Sequence, residues 1–237
     1  MGILQHHVIP CCSAMLSELI PPEINDDAFY EALHVLAREP SLKTYLEIGS
    51  SSGEGSTRAF VTGLRSRPDV SETRLLCMEM SQQRHAALAA RYRGDQFVHC
   101  YNLSSVLLSE FPNEREVSFF YANTRTNLNA TPLPVVLSWL RQDVEYLRHM
   151  AQERNGIEQI RADHGITDFD CVLIDGSEFT GERELRRTLG AKVIALDDVN
   201  AHKCFNAYRM LRSHFGYELI AENLRLRNGY AIFRRRY

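Results

Sequence analysis

Short apolar runs alternate along most of this chain with longer segments in which apolar residues recur every three or four positions. The apolar runs predict five strands, at residues 45–48, 75–78, 97–101, 169–175 and 192–196. The longer segments predict helices, at residues 26–38, 56–64, 81–92, 181–189 and 202–215. Strands that alternate with helices are typical of an α/β fold, in which helices cover both faces of a mostly parallel sheet.

The C-terminal end of the chain shows a different pattern. Two apolar runs, at residues 217–222 and 229–234, are separated by a polar turn at residues 223–228 with no room for a helix. This spacing predicts an antiparallel hairpin. The predicted fold is therefore a Rossmann-like sheet, mostly parallel, that ends in a C-terminal antiparallel hairpin.

Two regions depart from the regular alternation. Residues 1–43 precede the first strand and are interpreted as an N-terminal helical cap on a domain that spans residues 44–237. Residues 103–168 are much longer than an ordinary crossover and are interpreted as an insertion. Within it, the polar stretch 123–129 is a candidate substrate lid. A helical stripe follows, which predicts either core packing or the interface of a homodimer: Val136, Leu140, Val144 and Leu147.

Composition narrows the class of protein. The chain has 237 residues and a net charge of −3, which disfavours a broad nucleic-acid surface. No apolar run approaches the roughly 18 residues that cross a bilayer, and the N-terminus lacks the pattern of a secretory signal. The six cysteines form no C-x-x-C pair, and Cys77, Cys100 and Cys171 fall inside predicted strands. We therefore expect a cytoplasmic protein with reduced thiols and without nucleic-acid or membrane partners.

A glycine-rich turn follows the first predicted strand. Glu47 is succeeded by Gly49, Gly53 and Gly55, and a helix begins near Ser56. Glycines let a ligand lie against bare backbone, and the free N–H groups of the helix point into the turn. The spacing differs from the G-x-G-x-x-G of dinucleotide sites. An acid before the turn would repel a pyrophosphate but suits a cationic amino group.

The second predicted strand also ends in an acid. Glu79 comes a little over twenty positions after the glycine turn, about where a ribose-binding acid follows one strand–helix–strand unit. Its two oxygens can accept hydrogen bonds from both ribose hydroxyls. Together, the turn and Glu79 predict a nucleoside site.

The E-x-G-x-x-x-G-x-G pattern resembles motif I of the class I S-adenosylmethionine-dependent methyltransferases. The resemblance extends over most of the chain from Tyr45 onward. It implies S-adenosylmethionine as cofactor, with Glu79 at the ribose and with Met80 and Asn102 near the adenine. It also implies which residues line the methionine end of the cofactor: Glu47, Gly49, Ser50, Ser51 and Gly53.

Three further acids end the fourth and fifth predicted strands. Asp175, Asp197 and Asp198 should meet at the carboxyl edge of the sheet, where their charges repel unless a cation intervenes. Mg²⁺ or Ca²⁺ prefers such oxygen ligands. This layout is similar to that of catechol O-methyltransferase and related metal-dependent O-methyltransferases. The resemblance implies that these three aspartates bind a divalent metal, with Asp175 at the catalytic centre.

The chain departs from that group at the catalytic base. Those enzymes place a lysine shortly after the first metal-binding acid, whereas residues 176–181 contain none. His202, just beyond the acid pair, is the candidate base because an unperturbed imidazole titrates near pH 6.5. The expected function is methyl transfer to a small-molecule hydroxyl, assisted by Mg²⁺. Two alternatives stay open, namely a dinucleotide-dependent dehydrogenase and a methyltransferase-like binding protein without activity.

Overall fold

The structure is a computed structural model and describes residues 18–236. Seven strands form one sheet: β1 (Thr44–Ile48), β2 (Arg74–Met78), β3 (Val98–Tyr101), β4 (Cys171–Ile174), β5 (Val193–Asp197), β6 (Tyr217–Asn223) and β7 (Tyr230–Arg235). The described residues also form eight α-helices: α1 (Ala28–Ala37), α2 (Ser56–Arg65), α3 (Gln82–Arg91), α4 (Glu114–Asn123), α5 (Leu133–Met150), α6 (Gly156–His164), α7 (Gly181–Thr188) and α8 (His202–Ser213).

The strand order is β3-β2-β1-β4-β5-β7-β6. Strands β1 to β5 are parallel, and β7 runs antiparallel between β5 and β6. The predicted α/β architecture and its C-terminal antiparallel hairpin are therefore confirmed. The chain moves outward in one direction from β1 and in the other from β4, which opens a crevice at the carboxyl ends of these two strands.

Alternating residues of each central strand face opposite layers of helices. In β1, Tyr45 packs with residues of α1, α2 and α3 in one apolar cluster, whereas Leu46 packs with α6, α7 and α8 in a second. Strand β4 alternates in the same way at Cys171 and Val172. Because both faces are covered, the central parallel strands β1, β4 and β5 are mostly apolar, and Glu47 and Asp197 are buried acids near the carboxyl ends of two of them. Helices lie on both faces of the sheet, as predicted.

The insertion folds into three helices. Only the second of them, α5 (Leu133–Met150), was predicted, from its apolar stripe. Its stripe at Val136, Leu140 and Leu147 is buried, and the first two pack in a third cluster with α4 and with Phe179. The stripe is therefore core and offers no open surface to a partner. The homodimer stays a prediction, and the stripe on α5 does not support it.

The segment before β1 is partly described. Helix α1 is capped by Asp27, whose Oδ1 accepts from the N–H groups of Phe29 and Tyr30 at 2.8 and 2.9 Å. The helix packs on α2 within the first apolar cluster. The boundary between a cap at 1–43 and a domain from 44 onward stays a prediction, since residues 1–17 lie outside the described part. None of the helices in residues 18–236 has the length and apolar character that crossing a membrane requires.

Candidate functional site

A cleft of about 230 Å³ lies at the carboxyl edge of the sheet, around the crevice between β1 and β4. The loops after β1, β2, β4 and β5 contribute to its walls, together with α5 from the insertion. Residues 20–24 form part of another wall, which the sequence pattern did not indicate. The predicted nucleoside site and the predicted acidic site open into this one cleft.

The glycine turn after β1 depends on close approach of two backbones. Gly49 has φ +89°, and a Cβ placed on it would lie 2.0 Å from the carbonyl oxygen of Asp175. Gly53 has φ +79°, and its Cβ would lie 2.6 Å from the ring of Tyr92. Gly49 lines the cleft, whereas Gly53 is needed for packing against α3. Within residues 18–236, Gly53 therefore does not line the cleft and instead packs against Tyr92.

Glu47 lies beneath the turn rather than in the cleft. It is fully buried, and its two oxygens accept from the hydroxyls of Ser56 and Thr57, each at 2.6 Å. Burial raises the pKa of this carboxyl, while the hydroxyl donors act in the opposite direction. Because both hydroxyls belong to the first turn of α2, Glu47 holds the start of that helix against β1. It supports the glycine turn and is not part of the cleft lining within residues 18–236.

Glu79 lies in the cleft, at the end of β2, and is only 6% exposed. Its Oε2 accepts from the backbone N–H of Ser51 at 2.8 Å, and its Oε1 accepts from that of Ser81 at 2.7 Å. Burial raises its pKa, and these two backbone donors oppose that effect. Each carboxylate oxygen has two acceptor positions. Within residues 18–236, each oxygen thus accepts one hydrogen bond, which leaves it a second acceptor position.

The two residues predicted near an adenine have different positions. Met80 lines the cleft, as do Ser50 and Ser51. Asn102 is not part of that lining within residues 18–236; its Nδ2 donates to the carbonyl oxygens of Glu79 and Met80 at 2.9 and 2.8 Å. Asn102 therefore holds the loop after β2 in place, and the neighbouring Leu103 and Ser104 form the wall.

The three strand-end aspartates converge as expected. Asp175, Asp197 and Asp198 each present an oxygen within 4.8 Å of the others. The cluster is accompanied by two side-chain cations. Nζ of Lys203 lies 2.7 Å from Oδ1 of Asp175 and 2.7 Å from Oδ2 of Asp198. Nη2 of Arg227 lies 3.1 Å from Oδ1 of Asp197.

The structure places His202, the predicted base, outside the cleft lining of the described residues. Its ring packs against Phe120 and Phe179, with ring centroids 4.4 and 5.6 Å away, and it forms no part of the cleft wall described here. Its Nδ1 is 3.1 Å from the carbonyl oxygen of Glu178, and burial lowers its pKa. Successive helical residues point about 100° apart. The next residue of α8, Lys203, is the one that faces the cleft.

Sequence reasoning also missed four carboxyl groups of the cleft lining, those of Glu23, Glu54, Asp143 and Glu178, and burial shifts the pKa of the last two. Asp143 of α5 accepts from Oγ of Ser177 at 2.5 Å, and burial raises its pKa to about 6. Glu178 follows β4, and burial raises its pKa to about 8. Burial similarly raises the pKa of Asp175 to about 7, although Lys203 acts against it. The signal for Asp143 was its position four residues after Trp139, which places both on one face of α5.

Aromatic residues line the same cleft. They are Phe111, Trp139 and Phe179. Trp139 and Phe179 belong to the third apolar cluster, and Phe111 packs against it. The insertion thus supplies both an apolar surface and a carboxyl group to the cleft. Such a combination can orient a small organic molecule that carries a polar group.

No family model and no curated protein matches this chain. Solved structures do match its fold. The O-methyltransferase from Bacillus cereus in complex with SAH is 13% identical, with 97% of this chain and 94% of that chain covered and a TM-score of 0.54. The cofactor-bound protein Rv0187 from MTB is 16% identical, with coverages of 93% and 84% and a TM-score of 0.54.

A third structure, the SAH-bound methyltransferase PaMTH1 from Podospora anserina, is 13% identical. The match covers 91% of this chain and 81% of that chain, with a TM-score of 0.50. At these identities the likeness concerns the fold. The chain has the α/β Rossmann-like methyltransferase fold.

Proposed function

We propose that this protein is an S-adenosylmethionine-dependent methyltransferase that acts on a hydroxyl oxygen of a small molecule. The observation that carries the proposal is the position of Glu79. A buried carboxylate at the end of β2 faces the cleft and is fixed by the N–H groups of Ser51 and Ser81. This arrangement suits the two hydroxyls of a ribose.

The remaining cradle fits the rest of the cofactor. Gly49 exposes bare backbone to the cleft, and Oγ of Ser51 is buried without a protein hydrogen-bond partner in the described part of the chain. Such an orphaned hydroxyl requires a partner from a ligand or from water. Met80 supplies an apolar contact at the far end. We assign Glu79 to the ribose, Ser50 and Ser51 to the amino-acid end, and Glu47 and Asn102 to the support of these loops.

The charge of the cleft argues against a dinucleotide. Seven acids line it within the described residues: Glu23, Glu54, Glu79, Asp143, Asp175, Glu178 and Asp198. Two bases line it, Arg84 and Lys203. Burial raises the pKa of Asp143, Asp175 and Glu178 to about 6, 7 and 8, so these three carry less than full charge at neutral pH. The other four acids still outnumber the two bases, which repels a pyrophosphate and attracts a cofactor with a sulfonium and an ammonium group. The charge balance therefore favours the methyltransferase over the dehydrogenase.

The bound cofactor supplies an activated methyl group, and the chain supplies geometry and proton transfer. Phe111, Trp139 and Phe179 would orient the acceptor and exclude water. We assign the acceptor's proton to Asp175, because its pKa of about 7 suits a general base near neutral pH. With the cofactor bound, the acceptor oxygen would bond to the methyl carbon, and the electron pair of the broken carbon–sulfur bond would stay on sulfur.

We also assign the protein to the cytoplasm. The four cysteines that the structure describes, Cys77, Cys100, Cys171 and Cys204, are free thiols. Three of them are buried, and a buried reduced cysteine behaves as a small apolar residue. Reduced thiols are typical of cytosolic proteins.

Calorimetric titration with S-adenosylhomocysteine, and with NADH as the comparison ligand, tests the proposal. We expect S-adenosylhomocysteine to bind with a Kd of about 1 to 100 μM, and NADH to show no binding below about 1 mM. Mass spectrometry of phenolic and polyol acceptors incubated with deuterated S-adenosylmethionine then tests catalysis. Tighter binding of NADH would refute the assignment, and cofactor binding without any transfer would favour the inactive binding protein.

A further inference from the structure

We propose that Lys203 takes the place of the divalent metal ion at the carboxyl edge of this sheet, so that the protein needs no metal. The Lys203 ammonium bridges Asp175 and Asp198, at 2.7 Å from an oxygen of each. The catalytic part of this inference rests on the proposed methyl transfer. Whether Lys203 occupies the position of a metal ion can be tested without any assay of methyl transfer.

The bridge is built into the fold. The side chains of Lys203 and Asp198 are 9% and 6% exposed, so their attraction is weakly screened by solvent. Lys203 is the second residue of α8, which packs on β5 and against α7. A Cβ added to Gly181 would lie 2.1 Å from the backbone carbonyl oxygen of Lys203. This part of α8 is therefore tightly packed against α7. The ammonium is therefore directed to the two carboxylates by close packing.

A divalent ion does not fit beside this ammonium. Mg²⁺ binds oxygen ligands at about 2.1 Å, so an ion held by Asp175 and Asp198 would occupy nearly the same space as Nζ. An ammonium has no lone pair and cannot act as a ligand. A doubly charged ion a few ångströms from it would be strongly repelled in a buried site.

The third aspartate does not provide an alternative metal site. Asp197 is 1% exposed and pairs with Arg227, so it already has a cation of its own. Within residues 18–236, Oδ1 of Asp198 is buried without a hydrogen bond from the protein. An ion bound at this oxygen would still lie within a few ångströms of the Lys203 ammonium, which would repel it, whereas the oxygen can accept from one hydroxyl of a substrate.

The ammonium can perform the electrostatic part of the reaction. In metal-dependent catalysis the ion stabilises negative charge that develops on the acceptor oxygen. A fixed ammonium in a poorly solvated cleft stabilises the same charge without reorganisation. In this assignment the hydroxyl proton moves to Asp175 while Lys203 keeps its protons and stabilises the acceptor oxygen.

Binding of Mn²⁺, measured by electron paramagnetic resonance, tests the replacement directly. For the wild-type protein we expect no bound Mn²⁺ up to about 1 mM. For Lys203→Met, which keeps the volume and removes the charge, we expect binding at about 10 to 300 μM, since the carboxylates then lack their cation. Adding Asp198→Asn to Lys203→Met should remove the gained binding. Wild-type binding of Mn²⁺ that disappears in Asp198→Asn would overturn the proposal.

Two further measurements separate the possible failures. A folded Lys203→Met and a folded Lys203→Gln that both gain no Mn²⁺ would also overturn the proposal, and melting curves establish that they fold. If neither folds, the wild-type and Asp198→Asn titrations decide. The affinity of the wild-type protein for S-adenosylhomocysteine tests the proposed function separately. If the wild-type protein does not bind S-adenosylhomocysteine, the proposed function fails but the Mn²⁺ result is unaffected.

Once an acceptor is found, the catalytic part can be tested by metal rescue. We expect a chelator to leave wild-type turnover unchanged. Lys203→Met should lose at least about 100-fold in kcat, and added Mg²⁺ should restore part of it. A wild-type rate that a chelator abolishes would contradict the inference.

Discussion

The backbone N–H of Ser51 donates to Oε2 of Glu79 at 2.8 Å, which joins the glycine turn after β1 to the end of β2. Ser51 has φ +49°, in the left-handed region that few residues other than glycine adopt. The carboxylate thus fixes an unusual turn and at the same time faces the cleft. One side chain thus holds the turn at the proposed amino-acid end and also forms part of the proposed ribose site.

Glu79→Gln should weaken S-adenosylhomocysteine binding about 10- to 100-fold. The amide replaces one acceptor oxygen by a donor, which would face either the N–H of Ser51 or that of Ser81. Calorimetry checks the affinity. Glu182→Gln is the matched control, because Glu182 is on α7 and pairs with Arg186 away from the cleft lining. Equal affinities of the two variants would remove Glu79 from the ribose site.

Gly49→Ala should destabilise the protein by about 3 kcal/mol or more. The new methyl group would lie 2.0 Å from the carbonyl oxygen of Asp175, at a residue with φ +89°. Gly165→Ala is the control, since Gly165 has φ +62° but no atom within 4 Å of the added Cβ. That variant should lose only about 1 kcal/mol, from backbone strain alone. Denaturant unfolding of both variants separates the steric cost from the conformational one.

The strand-end acids show what the sequence pattern could reveal. Strand positions follow from local apolar runs, and the carboxyl ends of parallel strands meet at one edge. The convergence of Asp175, Asp197 and Asp198 was therefore predictable. The sequence near an acid does not show which of the adjacent residues faces the cleft, because that depends on packing over many residues. Spacing alone identified Glu47 and could not show that Ser56 and Thr57 engage both of its oxygens.

The helix after β5 and the insertion show the limit more clearly. His202 and Lys203 are adjacent, and only the rotation of α8 about its axis decides which one enters the cleft. That rotation is set by Cys204, Ala207 and Leu211, which pack on the sheet. Helix α4 was missed because its capping box at Asn113 precedes a segment with a single buried residue, Val117. A weak apolar stripe gives little periodic signal.

Asp143→Asn should stabilise the protein near neutral pH. Burial raises the pKa of Asp143 from 3.8 to about 6, so the folded state favours the protonated form. The stability associated with this group is fully present below pH 3.8 and is lost as the pH rises through about 6. The variant lacks this loss and should exceed the wild type by about 3 kcal/mol at pH 7, with little difference near pH 3.5.

Urea unfolding between pH 3.5 and 8 measures this difference. Asp163→Asn, at an exposed residue of α6, is the control and should follow the wild-type curve. A constant difference between Asp143→Asn and the wild type over this range would show that the carboxyl of Asp143 is not held in its protonated form by burial.

Arg227 connects the end of β5 to the N-terminus of α1, because its guanidinium pairs with both Asp197 and Asp27. Arg227→Gln should cost about 3 kcal/mol, since it leaves the carboxylate of Asp197, 1% exposed, without its cation. Arg225→Gln, at an exposed arginine of the same turn, should change stability by less than about 0.5 kcal/mol. The double variant Arg227→Gln/Asp197→Asn should recover part of the loss, because it also removes the buried charge. Urea unfolding of these variants measures the coupling, and additive losses would show that Asp197 does not depend on Arg227.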